Sequence, residues 1–187
     1  KAYKRNDTAT IEVDTLEFSR LVLDGKNIRF EELPCQYQEL SFEILHRKLK
    51  ENIRIKNFDK DTLKTLNLYD DVNGFNNAAG ILADNNHFPG IDIVKFGENI
   101  SIIQKRSTFE NISVLEVYEK AIDVFRDYYQ YEVIQGAARK KMDKIPEEAF
   151  REAIANALIH RVWDVDSQIR VLMFDDRIEI VSPGGLP

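Results

Sequence analysis

Hydrophobic side chains recur every three or four residues in several segments of the chain, the spacing that gathers them on one face of a helix. This pattern predicts helices over residues 40–53, 61–68, 75–82, 113–128 and 146–161, and another that ends at Val22 with Asp14 as its N-cap. The helix beginning at Ser113 has the strongest signal, because Ser113 and Glu116 form a capping-box sequence. Its predicted buried stripe is Val114, Val117, Ala121, Val124, Phe125 and Tyr128.

Other segments are rich in β-branched and aromatic residues or alternate between apolar and polar positions, as strands do. They predict strands at residues 8–13, 91–96, 101–105, 131–134, 168–174 and 177–181. This combination indicates an α+β fold, with small mixed or antiparallel sheets packed by amphipathic helices. The last sheet is still short of strands where the chain stops at Pro187.

Length and composition narrow the class of protein. With 187 residues and 43% hydrophobic content, the chain can bury the core of one domain or two small ones. Its apolar runs are far shorter than the roughly 20 residues that cross a membrane, so no membrane contact is expected. The polar start at Lys1 lacks a signal-peptide core and indicates a cut point in a longer protein. The single Cys35 cannot form an internal disulfide, which favours a cytoplasmic location.

The net charge of −6 excludes the general basic excess that supplies non-specific affinity for nucleic acids. A local basic patch remains at Arg139, Lys140, Lys141 and Lys144, where only Asp143 opposes four cations. Such a run is typical either of a solvated linker or helix approach, or of a contact to phosphates. The patch is therefore the candidate nucleic-acid contact of this chain.

The helix over residues 146–161 carries two stripes at four-residue spacing. The first is apolar and should face the core: Phe150, Ile154 and Leu158. The second is polar: Glu148, Glu152, Asn156 and His160. A helical Glu, Asn and His in register could hold hydrated Mg²⁺ or a phosphate-bearing ligand, although a polar stripe is also what a solvated face looks like.

A glycine pair follows the last predicted strand. Gly184 and Gly185 could bring backbone amides close to a phosphate, or could simply form a turn. The phosphate-cradling loop of helicase motors, Gly-x-x-x-x-Gly-Lys-Ser/Thr, does not occur in the sequence, which excludes motor activity. The three histidines are far apart in sequence and lack the ligand spacing of a zinc site.

The composite of residues 151–161 with residues 174–187 closely resembles the RecG-related family of bacterial transcriptional regulators. These proteins, sometimes described as ATP-dependent DNA helicase RecG-related, join a Schlafen-type AlbA domain to a divergent GHKL-like ATPase domain. The resemblance implies four parts: the tail of an AlbA domain (residues 1–30), a helical connector (31–72), an α/β middle segment (73–144) and the truncated start of a GHKL-like α/β sandwich (145–187).

The resemblance also implies roles for individual residues. In GHKL proteins a helical Glu is the general base and an Asn four residues later holds Mg²⁺, which corresponds to Glu152 and Asn156, with His160, Gly184 and Gly185 near the nucleotide. The sequence departs from the family at Ile159-His160, where Asp-Ala is usual, and at Ser182, where an Asp reads adenine. Leu186 stands where a second Gly is expected. An intact ATPase within this chain is therefore not expected.

Three hypotheses follow from the sequence. The leading one is a DNA-associated regulatory and ligand-sensing module of a transcriptional regulator, lying between DNA-binding parts outside this chain and itself binding DNA weakly. The first alternative is an ATP-binding, Mg²⁺-dependent GHKL-like domain, motivated by Glu152 and Asn156. The second is a structural homodimerisation module that pairs through open strand edges near Val181.

Overall fold

The protein is described by a computed structural model covering residues 2–6, 9–55, 57–135 and 138–184. Its elements in chain order are β1 (Tyr3–Asn6), β2 (Ala9–Glu12), α1 (Thr15–Gly25), a 3₁₀ turn (Phe30–Glu32), α2 (Glu43–Ile53), α3 (Lys60–Thr65), β3 (Tyr69–Asp70), β4 (Gly74–Phe75), α4 (Asn77–Leu82), β5 (Ile91–Phe96), β6 (Ile103–Phe109), α5 (Val114–Tyr129), β7 (Gln130–Gln135), β8 (Ala138–Asp143), α6 (Glu147–Ile159), β9 (Ile169–Met173) and β10 (Ile178–Val181). The predicted α+β class is confirmed. The domain boundaries inferred from the resemblance stay predictions.

The largest sheet has four strands in the order β10, β9, β5 and β6. β5 runs parallel to β9, whereas β6 and β10 pair antiparallel with their neighbours. The connection from β5 to β9 contains α5 and α6, and both helices pack on one face of the sheet. Parallel neighbours require a long crossover of this kind, because a tight turn can only join antiparallel strands.

The main core lies between this sheet and the two helices. The sheet contributes Ile91, Ile93, Val171 and Met173, and α6 contributes the three predicted core residues Phe150, Ile154 and Leu158. Phe125 of α5 stacks on Phe150, with ring centroids 4.6 Å apart. Each fully buried side chain of this size contributes roughly 1.5–3 kcal/mol, so the apolar stripe of α6 fixes which way its polar stripe points.

A second hydrophobic cluster joins α2, α3 and α4. Its buried members are Phe42, Leu45, Leu63, Leu68, Ala79 and Ala83. The carboxylate of Asp84 accepts hydrogen bonds from the backbone N–H groups of Glu43 and Ile44, at 2.7 and 2.9 Å. This cap comes from a distant residue and starts α2 at Glu43, three residues later than predicted, because it satisfies N–H groups that lack partners inside the helix.

The start of α1 agrees with the prediction, since Asp14 accepts a hydrogen bond from the Glu17 N–H. The capping box at Ser113 is wrong. Ser113 is buried, and its hydroxyl donates to the Leu82 carbonyl at 2.9 Å instead of capping α5. The buried stripe of α5 also differs, because Ile122 and Tyr129 are buried while Val114, Val124 and Tyr128 are only partly covered.

An ion pair joins α1 to a distant part of the chain. Arg20 of α1 donates to both carboxylate oxygens of Asp164, at 2.6 and 2.8 Å. Asp164 lies in the loop that follows α6, so α1 is held beside the end of that helix. Within the described ranges, no helix has both the length and the apolar character needed to cross a membrane.

Candidate functional site

The polar stripe of α6 faces outward. The side chains of Glu152, Asn156 and His160 are all exposed, and none of them makes a hydrogen bond or ion pair with any other described residue. Their positions on one helical face follow from the burial of Phe150, Ile154 and Leu158 on the opposite side. A carboxylate and an amide oxygen one turn apart are thus free to contact a ligand.

The turn that follows β10 sits against the second half of α6. The Ser182 hydroxyl donates to the Ala157 carbonyl at 3.1 Å, and the Val162 N–H donates to the Pro183 carbonyl at 3.0 Å. Gly184 has φ = +143°, a conformation that favours glycine, and an added Cβ would lie 2.9 Å from Cγ2 of Val162. Two segments about 25 residues apart therefore meet, and the Gly184 backbone lies close to the end of α6. Gly185 lies outside the described residues.

A buried arginine anchors the C-terminal end of α6. Arg161 is only 3% exposed and donates to the carbonyls of Pro89 (2.6 Å), Ser167 (2.7 Å) and Val165 (3.3 Å). Its guanidinium lies over the Trp163 ring, 4.4 Å from the centroid. Burial lowers the pKa of Arg161 from its usual value. The carbonyl dipoles and the indole ring supply the electrostatic partners of this charge, and they tie α6 to the turns that precede β5 and β9.

A saturated carboxylate anchors the other end of α6. Glu147 accepts two hydrogen bonds from Arg126 (2.8 and 3.0 Å), one from Arg151 (2.7 Å) and one from Gln130 (3.0 Å). The Arg126 and Arg151 guanidinium groups lower the pKa of Glu147 to about 2. The helix is therefore fixed at both ends while its polar stripe stays open to solvent.

The donor set of α6 suits a hard cation only in part. Among the described residues no three His, Cys, Asp or Glu side chains are close enough together to hold a metal ion. Glu152 and Asn156 supply oxygen ligands, which Mg²⁺ prefers, and Mg²⁺ commonly completes its shell with water and phosphate oxygens. The residues therefore fit Mg²⁺ when it arrives with a phosphate ligand.

The basic segment is a strand rather than the linker or helix approach expected for such a run. β7 and β8 form a two-stranded antiparallel ribbon in which Val133 lies opposite Lys140 and Glu132 lies opposite Lys141. The backbone N–H of Lys144 donates to the Tyr129 carbonyl at 2.8 Å, which closes the base of the ribbon. Tyr129 itself is buried in the main core. The ribbon is thus anchored at its base.

Both faces of the ribbon are open to solvent. Consecutive side chains of a strand point to opposite faces, so Lys140 and Lys141 of β8 project on opposite sides of the ribbon. Both lysines are exposed. Arg139 lies 3.7 Å from Glu132, whereas the two lysines have no ion-pair partner within the described part of the chain. Tyr131 and Met142, a directly opposed pair, are also substantially exposed.

The remaining residues singled out by sequence have structural surroundings. Cys35 is buried, and its Sγ is 2.9 Å from the position that a Cβ on Gly80 would occupy. His46 stacks on Phe58 with centroids 5.0 Å apart, and His87 contacts the Tyr37 ring at 4.2 Å. These two histidines act as ring partners of aromatic side chains.

A groove of 630 Å³ beside α6 was not predicted from the sequence. Tyr118 of α5, Ile159 of α6 and Trp163 are part of its lining. The local sequence hint of this groove was Ile159, an apolar residue beside the polar stripe of α6. The lining as a whole runs from Arg29 to Trp163, more than 130 positions apart, so no sequence motif could show that these residues meet.

The chain matches no protein-family model and no curated protein. Among solved structures, the crystal structure of the DIP2311 protein from Corynebacterium diphtheriae is similar, with a TM-score of 0.72 and 21% sequence identity. The match covers 99% of this chain and 39% of that protein, so the chain spans well under half of its length. At this level of identity the similarity shows a shared fold.

Proposed function

We propose that this chain is a cytoplasmic, DNA-associated regulatory module that contacts nucleic-acid phosphates through the ribbon of β7 and β8. The observation that carries this proposal is the exposure of Arg139, Lys140 and Lys141 on one strand of an anchored two-stranded ribbon. A ribbon of two strands fits the major groove of B-form DNA. The leading hypothesis from the sequence thus gains a specific contact surface.

The local charge favours this contact in spite of the acidic chain. The segment from Gln130 to Lys144 holds four cations and two carboxylates, whereas the whole chain has a net charge of −6. At about 0.15 M salt the Debye length is about 8 Å, so distant carboxylates are largely screened from a phosphate held at the ribbon. The attraction is therefore local, short in range and strongly dependent on salt.

The salt dependence gives the expected magnitude. Each phosphate contact contributes a slope of about −0.9 in a plot of log K against log salt concentration. Contacts from Arg139, Lys140 and Lys141 predict a total slope of about −2.7. Replacing the two lysines by glutamine should then reduce the slope by about 1.8.

Fluorescence anisotropy with a labelled 20-base-pair duplex at 20–200 mM NaCl tests the proposal. The double variant Lys140→Gln/Lys141→Gln is compared with Lys26→Gln/Lys50→Gln, which makes the same change in net charge at exposed positions elsewhere. We expect the first variant to lose most of its binding and the second to retain it. Equal losses in both variants, or no binding at 20 mM salt, would contradict a role for the ribbon.

A second candidate function is Mg²⁺-dependent binding of a nucleotide at α6. It is supported by the contact of the Ser182–Gly184 turn with Ala157 and Val162, which brings the two segments of the family resemblance together at the helix that carries the exposed Glu152 and Asn156. In this hypothesis Asn156 holds Mg²⁺, Glu152 orients water, and His160 and Gly184 lie near the phosphates. ATP is the nucleotide that the resemblance implies, although Ser182 lacks the carboxylate that reads adenine.

Isothermal titration calorimetry with Mg²⁺-ATP tests this second candidate. Asn156→Ala should weaken binding at least tenfold, because it removes a ligand of the cation. Asn52→Ala, at an exposed asparagine of α2, is the matched control and should bind like the parent chain. Identical binding by the two variants, or binding that does not require Mg²⁺, would exclude Asn156 from this role.

A further inference from the structure

The groove beside α6 runs along the seam between the two hydrophobic clusters. Leu68 and Leu82 line it from the cluster of α2, α3 and α4, and Tyr118 and Leu158 line it from the main core. Its volume of 630 Å³ lies within the range of about 300–1,000 Å³ found for small-molecule sites. The groove thus lies where the two hydrophobic clusters meet.

The floor of the groove is preformed, and its mouth is apolar. Leu68, Ile81, Leu158 and Trp163 are all buried and belong to the packed interior. At the mouth Ile159 is 69% exposed and Leu66 is 40% exposed. Apolar side chains that remain in water at the edge of an apolar groove are stabilised when an apolar group covers them. The occupant therefore has an apolar body.

The polar groups at the rim define the charge of the occupant. Asn76 is already used, because its side chain accepts from the Ala79 N–H (3.0 Å) and donates to the Asn67 carbonyl (2.7 Å). Glu31 is half-buried and has no hydrogen-bond or ion-pair partner anywhere in the described ranges, whereas Glu32 accepts only from the Arg29 N–H at 3.2 Å. The charged residues that line the groove are therefore two carboxylates, Glu31 and Glu32, and one arginine, Arg29.

We propose that this groove binds a small amphipathic cation, with an apolar body between the two clusters and a protonated amine at Glu31. A half-buried carboxylate without a partner gains most from a cation that arrives with its own apolar cover, because the contact is then shielded from water. Such a ligand touches both hydrophobic clusters and α6, which makes the groove the ligand-sensing element of the chain. Binding in the groove requires neither DNA nor a nucleotide.

The single tryptophan of the chain lines the groove and provides the assay. 4-Phenylbutylamine and 4-phenylbutyrate share an apolar body, carry opposite charges at neutral pH and absorb little at 295 nm. Titration of the 187-residue chain is followed by Trp163 fluorescence. We expect saturable binding of the amine, at least tenfold tighter than that of the carboxylate. Glu31→Gln should reduce this preference to less than threefold.

Two substitutions on the same helix separate binding in the groove from loss of structure. Ala155 lines the groove, whereas Ala153 is exposed on α6 outside it, so Ala155→Phe should abolish binding and Ala153→Phe should preserve it. Circular dichroism establishes that both variants are folded. Proton–nitrogen NMR of the parent chain locates the bound probe directly if either variant fails to fold.

Several results would overturn the inference. Equal affinity for the amine and the carboxylate would mean that the rim does not select charge. Unchanged selectivity in Glu31→Gln would remove the proposed partner of the amine. Sedimentation that shows a dimer which dissociates as the probe binds would mean that a second copy of the chain occupies the groove. Chemical-shift changes that map away from Trp163 would place the binding elsewhere.

Discussion

Removal of the charge at Glu147 is expected to loosen the junction where the end of α5, the base of the ribbon and the start of α6 meet. The perturbation is Glu147→Gln, which keeps the size of the side chain but replaces one acceptor oxygen by a donor that faces Arg126 and Arg151. The Glu147 side chain is 16% exposed, and its carboxylate accepts all four hydrogen bonds described above. The loss should therefore appear as a lower free energy of unfolding at neutral pH.

The pKa of Glu147 supplies the magnitude. A folded-state pKa of about 2 against an ordinary value of 4.5 corresponds to an upper limit of about 3.4 kcal/mol at 1.36 kcal/mol per unit. The side chains of Arg126 and Arg151 are 42% and 40% exposed. Solvent therefore screens much of the interaction, and we expect a loss of about 1–2 kcal/mol.

The sign of the pH dependence follows from the lowered pKa. A carboxylate whose pKa is lower in the folded state stabilises the protein above its ordinary pKa of 4.5, and this contribution is lost as the pH falls from 4.5 towards 2. The difference between the parent chain and Glu147→Gln should be full at pH 7. About two-fifths of it should remain at pH 3.

Urea denaturation at pH 7, 4 and 3 measures this difference. Glu148→Gln is the matched control, because Glu148 is the next residue of α6, is exposed and has no hydrogen-bond or ion-pair partner among the described residues. The control should change stability by less than about 0.5 kcal/mol. Equal effects of the two substitutions at pH 7, or a difference that grows as the pH falls, would contradict a stabilising role for the Glu147 charge.

Two further predictions concern packing. Ile154 has no exposed surface, so Ile154→Ala should lower the free energy of unfolding by about 2–4 kcal/mol. Ile159 is exposed, so Ile159→Ala should change it by less than about 0.5 kcal/mol. Thermal melts of both variants measure this contrast, and similar losses would mean that α6 packs on a different face. Gly90→Ala places a Cβ 1.9 Å from the Phe109 carbonyl oxygen and should lower the free energy of unfolding by about 2–3 kcal/mol. A Cβ on Gly25 would have no neighbour within 4 Å, so Gly25→Ala should be neutral or slightly stabilising. Urea denaturation measures both, and a neutral Gly90→Ala would contradict the close approach of Gly90 to Phe109.

Most helices and strands were predictable from local sequence patterns alone. The predicted strand at residues 91–96 and the apolar face of α6 agree with the structure, because strand and helix periodicity depends only on neighbours along the chain. The Asp14 cap was predictable for the same reason. The capping box at Ser113 failed because a tertiary partner, the Leu82 carbonyl, competes for the same hydroxyl.

The surroundings of each candidate residue depend on long-range contacts that the sequence pattern does not show. The basic run forms an exposed strand because it pairs with β7. Its partners lie several residues earlier in the chain, so the local pattern of the run does not show this pairing. The Ser182–Gly184 turn packs against α6, and the groove lies between the two hydrophobic clusters. Both arrangements depend on contacts between distant residues, which no local pattern encodes. Spacing along a chain fixes which side chains share a face, whereas long-range packing decides whether that face meets protein, solvent or a ligand. The α6 stripe was therefore visible in the sequence, and the groove beside it was not.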